Sequence, residues 1–268
     1  MKIAFIGGGV MAEAMIGGVL RQSAAQPQDV CVGEPIEARR QQLAQRYGVA
    51  TMTDNREACQ HADLVVLSVK PQNLSEVLEE LRGSLRGDQV AMSIVAGARM
   101  EAIASGLRHG KVIRVMPNIP AQIGAGMSLW LASSSVSQEI REVVRTILTT
   151  LGKEMEVTEE KYLDMATALS ASGPAYVFLF IESLIDAGVY MGMSRDMART
   201  LAVQTVLGSA RFAQASGKHP AELRDMVTSP GGTTAAALKV LGDGGFRATV
   251  INAVVAAYEK AKSLGGQK

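Results

Sequence analysis

The stretch Lys2-Ile3-Ala4-Phe5-Ile6-Gly7-Gly8-Gly9-Val10-Met11-Ala12 decides how this chain is read. KIAFIG is a short apolar run of the kind that forms a parallel strand buried on both faces. Three glycines follow, and then a helical stretch to about Gln22. That order sets Gly7, Gly9 and Ala12 in the pattern G-x-G-x-x-A. In it the first glycine makes the tight turn, the second admits a pyrophosphate, and the small third residue lets helix and strand pack closely. The motif alone is weak, and a glycine turn without a ligand is the alternative. Its place between a strand and a helix favours dinucleotide binding.

Strands and helices alternate after it: VCVGE near Val30, a helix from Ile36 to Tyr47, VATMT near Val49, a short helix near Arg56, LVVLSV from Leu64, QVAMSIV from Gln89 and KVIRVMP from Lys111. The alternation predicts a parallel sheet covered on both faces, with ligands beyond the carboxyl ends of its strands. Glu34 ends the second strand, where an acid accepts from ribose hydroxyls and favours NAD over a 2′-phosphate; a solvated turn residue is the other reading. Asn55 could donate to a phosphate, or could be a first-turn residue, since Asp54 and Glu57 resemble a capping box. Arg39 and Arg40 read as an exposed helix face. Lys70-Pro71 closes a strand.

After Asn118 come a strand-like MSLWLA from Met127, an amphipathic helix from about Ser137 to Leu151, and a strand EMEV from Glu154. Beyond Thr158 only helices are expected, which divides the chain into 1–158 and 159–268. The run from Pro174 to Met191 is apolar nearly all round. About 110 residues can hardly cover such a helix, so it predicts a dimer, with a central helix buried in a monomer as the alternative.

Composition narrows the partner. The 268 residues carry 27 Lys plus Arg against 26 Asp plus Glu, with no basic run, which disfavours nucleic acid or an anionic membrane and leaves a small molecule. Cys31 and Cys59 read as reduced thiols of a cytoplasmic protein. His61, His109 and His219 lack metal-ligand spacing, so no metal is expected. No leader is visible at the N-terminus, and Glu182 and Asp186 make the Pro174 run a buried or interface helix rather than a membrane span.

Two hydroxyl-rich stretches punctuate the helical half: Ser170-Ala171-Ser172-Gly173-Pro174-Ala175-Tyr176 and Thr228-Ser229-Pro230-Gly231-Gly232-Thr233-Thr234. Each is either a helix cap or a site. In the second, two glycines let backbone approach a ligand, and free N–H groups at a helix start can hold a small carboxylate. Oxidation of an alcohol needs a general base or acid, yet no lysine lies between Lys161 and Lys218 and no histidine between His109 and His219. A site of hydroxyls and backbone N–H groups suits an electrophilic substrate such as a protonated imine.

The set GGGVMAEAMIGG, VVLSVKPQN, MPNIPAQIGAGMS, SASGPAYVFLFIESLIDAG and TSPGGTT, in this order and spacing, resembles the pyrroline-5-carboxylate reductases, the enzymes that make L-proline. The resemblance covers essentially the whole chain, and its last two motifs are specific. It implies an α/β fold: an N-terminal Rossmann-type dinucleotide-binding domain followed by an all-helical dimerisation domain. It also implies reduction of 1-pyrroline-5-carboxylate by NADPH or NADH, and a homodimer that can assemble as a decamer of five dimers. By the same resemblance Gly7, Gly9, Met11 and Ala12 line the pyrophosphate turn, and Asn55 sits by the adenosine ribose or its 2′-phosphate. Val69, Lys70 and Pro71 run along the cofactor, with Ala96, Gly97 and Asn118 near the nicotinamide. Ser229, Gly232, Thr233 and Thr234 hold the substrate carboxylate, and Thr234 also reaches the ring nitrogen as the catalytic hydroxyl. The chain departs from the family pattern at Gly8, Val10 and Ala171, and at Glu34, where a neutral or basic residue is usual. The last puts NADPH preference in doubt. Rival readings are another reductase or hydroxyacid dehydrogenase on this architecture and a dinucleotide-sensing dimer without chemistry.

Overall fold

The computed structural model describes residues 1–266. Its strands are β1 (Ile3–Ile6), β2 (Val30–Gly33), β3 (Ala50–Met52), β4 (Leu64–Leu67), β5 (Val90–Ser93), β6 (Val112–Met116), β7 (Gly126–Ala132) and β8 (Gly152–Glu156). The helices that cross over between them are α1 (Val10–Arg21), α2 (Glu37–Tyr47), α3 (Asn55–Cys59), α4 (Leu74–Glu80), α5 (Met100–Leu107) and α6 (Gln138–Thr149). Then come α7 (Lys161–Ala166), α8 (Gly173–Tyr190), α9 (Arg195–Ser216), α10 (Pro220–Met226), α11 (Thr233–Asp243) and α12 (Phe246–Leu264).

One sheet runs in the order β3-β2-β1-β4-β5-β6-β7-β8. Its first six strands are parallel. Strand order reverses between β1 and β4, the switch point at which such sheets bind ligands. Alternate residues of β1 feed two cores. Ile3 and Phe5 pack with Met15, Ile16, Trp130 and Leu148, whereas Ala4 and Ile6 pack with Leu67, Leu78, Ile103 and Leu107.

The expectation of a parallel sheet needs one correction: β7 lies antiparallel to β6, and β8 is parallel to β7. The β6–β7 connection holds only one 3-10 turn, Ile119–Ile123, too short to cross the sheet, so the chain doubles back. The helix α6 then makes a crossover of ordinary length to β8.

By packing, the chain forms two compact units, Met1–Ser172 with Ala257–Lys268, and Gly173–Ala256. That division falls later than Thr158 because α7 still packs on β6 and β7, and the end of α12 from Ala257 groups with the first unit. In the second unit Gly188 of α8 meets Ala198 of α9 so closely that an added Cβ would lie 2.7 Å from the alanine methyl. Small residues thus let the two helices approach. Its large side chains are left in the open, among them Phe178 (59 % exposed), Leu179 (63 %), Met191, Phe212 and Ile251. The helical run Lys161–Tyr190 is long and apolar enough to cross a membrane by length and composition.

Candidate active site

The glycine turn sits where β1 ends. Gly7 has φ +97°, and an added Cβ would lie 3.0 Å from the Ser68 carbonyl oxygen, so both conformation and space demand glycine. Its N–H donates to the Gly33 carbonyl (2.8 Å), and the Ser68 hydroxyl donates to the carbonyls of Ile6 and Gly7 (3.0 and 2.8 Å). Gly9 is different. An added Cβ would meet only the Ser68 oxygen, 3.9 Å away, so there is room above it. Gly9 is also the N-cap of α1 and offers no capping side chain, which leaves first-turn N–H groups, Met11 among them, for an anion. Ala12 is wholly buried against the sheet. A small residue, free donors and open space fit a dinucleotide pyrophosphate.

The next corner is built at the ends of β2 and β3. Glu34 is 8 % exposed; its Oε2 accepts from the Gly8 N–H (2.8 Å) and its Oε1 from the Ile36 N–H (3.0 Å). The carboxylate therefore lies against the glycine turn and is no solvated turn residue. Arg39 and Arg40, expected on an exposed face, are half-buried. Arg39 donates to the Gly8 carbonyl (2.6 Å) and to Glu13, while Arg40 donates to the carbonyls of Glu34 and Pro35. Backbone carbonyls at the end of β2 draw these guanidinium groups inward. Burial pushes the Glu13 carboxyl up, but Arg39, helped by Tyr47 and Arg46, more than offsets this and holds it below the ordinary value. Asn55 opens α3, where Asp54 caps the N–H groups of Arg56 and Glu57, and its amide donates to Glu80 (2.7 Å).

Three more loops complete this edge of the sheet. Val69, Lys70 and Pro71 follow β4, with the Val69 methyl beside Gly7 and Lys70 exposed at the start of a 3-10 turn. Ala96 and Gly97 follow β5. Gly97 has φ +73°, and an added Cβ would lie 3.3 Å from Leu264. Asn118 follows β6, accepts from the Met127 N–H (2.9 Å) and donates to the carbonyl and hydroxyl of Ser170 (3.2 and 3.3 Å). That contact ties the sheet edge to Thr167–Ala171, a π-helical turn. Below the loop after β5, Glu160 joins Arg114, Arg99 and the Met100 N–H. Burial pushes the Glu160 carboxyl up, but the Met100 N–H and then Arg114 and Arg99 lower it below its ordinary value.

In the helical unit Gly232 is the N-cap of α11 and has no side-chain cap, so the first-turn N–H groups of Thr233 and Thr234 have none of the usual capping partners. Gly231 has φ +69°, the Gly232 N–H donates to the Ser229 carbonyl (3.1 Å), and an added Cβ on Gly232 would lie 2.3 Å from the Ser229 hydroxyl. Ser229, Gly232, Thr233 and Thr234 therefore gather at one helix start, where N–H groups and the macrodipole favour a carboxylate.

Sequence reasoning missed two contributors on the sheet edge. Ser68 was taken into a strand, although a serine just after LVVL is a signal that a strand end carries hydrogen bonds. Glu80 gave no signal, because only folding brings it to Asn55.

A Rossmann-type sheet with an uncapped glycine turn at its switch point defines a dinucleotide-binding protein, here with a helical second half. Residues 2–97 match the family described as NADP oxidoreductase coenzyme F420-dependent, and residues 160–264 match pyrroline-5-carboxylate reductase dimerisation. The pyrroline-5-carboxylate reductase of Synechocystis sp. is 42 % identical over 265 residues, 99 % of this chain and 98 % of that protein. The solved pyrroline-5-carboxylate reductase of Coxiella burnetii superposes with a TM-score of 0.90 at 36 % identity, covering 100 % of this chain and 98 % of that one. The Plasmodium falciparum pyrroline carboxylate reductase, solved with NADP bound, gives 0.90 at 34 % identity, covering 99 % and 98 %. The chain belongs to the pyrroline-5-carboxylate reductase family and is an NAD(P)-dependent oxidoreductase, and its helical half carries that family's dimerisation domain.

Proposed function

We propose that this chain reduces the ring C=N bond of 1-pyrroline-5-carboxylate to give L-proline, the last step of proline biosynthesis, with NADPH or NADH. The observation that carries the assignment of roles is the uncapped start of α11, a carboxylate cradle of glycine, serine and threonine in a half-chain whose two long helices α8 and α9 hold no lysine or histidine. Bound reduced nicotinamide supplies a hydride to the imine carbon. The N–H groups of Thr233 and Thr234 and the Ser229 hydroxyl hold the acid's carboxylate and fix which face of the ring is presented. The Thr234 hydroxyl steadies the ring nitrogen as it loses positive charge and becomes an amine. Gly7, Gly9, Met11 and Ala12 hold the pyrophosphate, Glu34 and Asn55 the adenosine ribose, Val69, Lys70 and Pro71 the middle of the cofactor, and Ala96, Gly97 and Asn118 the nicotinamide. Positioning of this kind carries roughly 7–11 kcal/mol of a barrier.

The exposed apolar faces of α8, α9 and α12 support a homodimer through the helical half, and five such dimers can close a decamer. A cytoplasmic enzyme with no nucleic-acid or membrane partner completes the reading. Loss of reduced-nicotinamide absorbance with 1-pyrroline-5-carboxylate, with proline as the analysed product, tests it. Turnover with proline formation is expected; tight cofactor binding without turnover would favour the dinucleotide sensor.

A further inference from the structure

We propose that Glu34 and Glu80 together make this chain select NADH over NADPH, Glu34 by meeting the adenosine ribose and Glu80 by engaging one Asn55 amide N–H and setting a second negative charge where a 2′-phosphate would lie. The inference rests on the dinucleotide-site reading above and goes beyond it by naming which cofactor the corner accepts.

Glu34 and Asn55 stand side by side at the carboxyl ends of β2 and β3. Between them is Gly33, where an added Cβ would lie 2.5 Å from the Asn55 Oδ1. A carboxylate has about four acceptor positions, and Glu34 uses two of them on the N–H groups of Gly8 and Ile36. The rest suit ribose hydroxyls, which donate. A phosphate at the 2′ position has only acceptors and carries about −1.5 to −2 charges at neutral pH, so it meets repulsion at a nearly buried carboxylate.

Asn55 is the neutral donor that would offset this, but its Nδ2 donates to Glu80 Oε2 at 2.7 Å. The half-buried Glu80, the last residue of α4, thus engages one of the two amide N–H donors and adds a second negative charge to the corner. The neighbouring guanidinium groups already donate to protein acceptors at this corner. Arg39 is spread over the Gly8 carbonyl, Glu13 and Gln42; Arg40 donates to the carbonyls of Glu34 and Pro35; and Arg56 donates from Nε to the Glu80 carbonyl. The Plasmodium falciparum relative was solved with NADP bound, so the proposal concerns this chain's own residues and not the family as a whole.

The test is the dissociation constant of the full-length protein for NADH and for NADPH, without substrate, followed by nicotinamide fluorescence. Wild type is expected to bind NADH about tenfold or more tightly than NADPH, the scale of one like-charge contact at low exposure. Glu34→Gln keeps an acceptor for the Gly8 N–H and should narrow the ratio about tenfold, whereas Glu80→Ala removes the second charge, frees the engaged Asn55 N–H and should narrow it about threefold. The ratio is the reading, because general damage to the fold weakens both nucleotides alike. Equal or tighter binding of NADPH by wild type overturns the proposal and leaves the dinucleotide site standing. A ratio that Glu80→Ala does not move overturns the role of Glu80. Binding of neither nucleotide overturns the site and the proposal together.

Discussion

The two halves of this molecule use similar apolar residues in opposite ways. Around the sheet, Phe5, Met15, Met92 and Trp130 are wholly buried within one chain. In Gly173–Ala256 the helices meet through small residues such as Gly188 and Ala198, and Phe178, Leu179 and Phe212 face outward. A sheet with helices on both faces completes its own core. A few long helices cannot, and they leave large apolar side chains such as Phe178, Leu179, Phe212 and Ile251 more than half exposed. One half is thus complete as a single chain, and the other is written for two.

Mutation at two phenylalanines breaks or sharpens the contrast most strongly. Phe5→Ala should cost about 3–5 kcal/mol in chemical denaturation, since the cavity opens in a closed core. Phe178→Ala should approach that cost only if a second copy covers the ring, and should cost under about 1 kcal/mol if the helical half stands alone. Comparing the two variants at high and low protein concentration separates the cases, because a cost that depends on a second copy vanishes on dilution.

The site divides in the same way. Thr234→Ala should lower kcat about 10- to 100-fold while the dissociation constant for dinucleotide holds, because Thr234 is assigned to substrate and the sheet half binds the cofactor. Unchanged turnover would remove Thr234 from the mechanism.

A smaller effect concerns the ion cluster beneath the loop after β5. The Glu160 carboxyl is lowered in the folded chain, so its contribution is present above the ordinary carboxyl value and is lost as pH falls through the lowered one. Stability should therefore drop more on acidification in wild type than in Glu160→Gln, which lacks the titrating group. Equal acid sensitivity of the two would sink this account.

The smallest effect is a silence. Burial pushes the Cys59 thiol up to about 12, and burial also raises that of Cys31. At pH 8 both should resist iodoacetamide until the sheet half unfolds, as read by mass spectrometry, since the thiolate is the reactive form. Fast labelling of folded Cys59 would show that the core opens.

What could be read from the sequence was what lies in local order. KIAFIGGGVMA declares strand, turn and helix within eleven residues, and the apolar Pro174 run declared a helix needing cover. The reversal at β7 was not visible, because MSLWLA has the same composition whichever way it runs; only the short link after β6 forces the direction. Arg39 and Arg40 looked solvated because their acceptors are backbone carbonyls, which carry no letter of their own. Glu80 could not be connected to Asn55 from one chain of letters. The division at Thr158 marks where strands stop, whereas packing continues through α7, a property of contacts rather than composition. The glycine and threonine helix start was legible as TSPGGTT, but that Gly232 leaves α11 uncapped required backbone geometry.

Mass in solution tests the central contrast most directly. For a chain of 28.3 kDa, sedimentation equilibrium should find particles that are even multiples of that mass. Leu179→Asp, which sets a charge on the open face of α8, should shift the distribution toward the single chain. A wild-type protein that stays at 28.3 kDa as concentration rises would contradict the claim that the helical half is completed by a second copy.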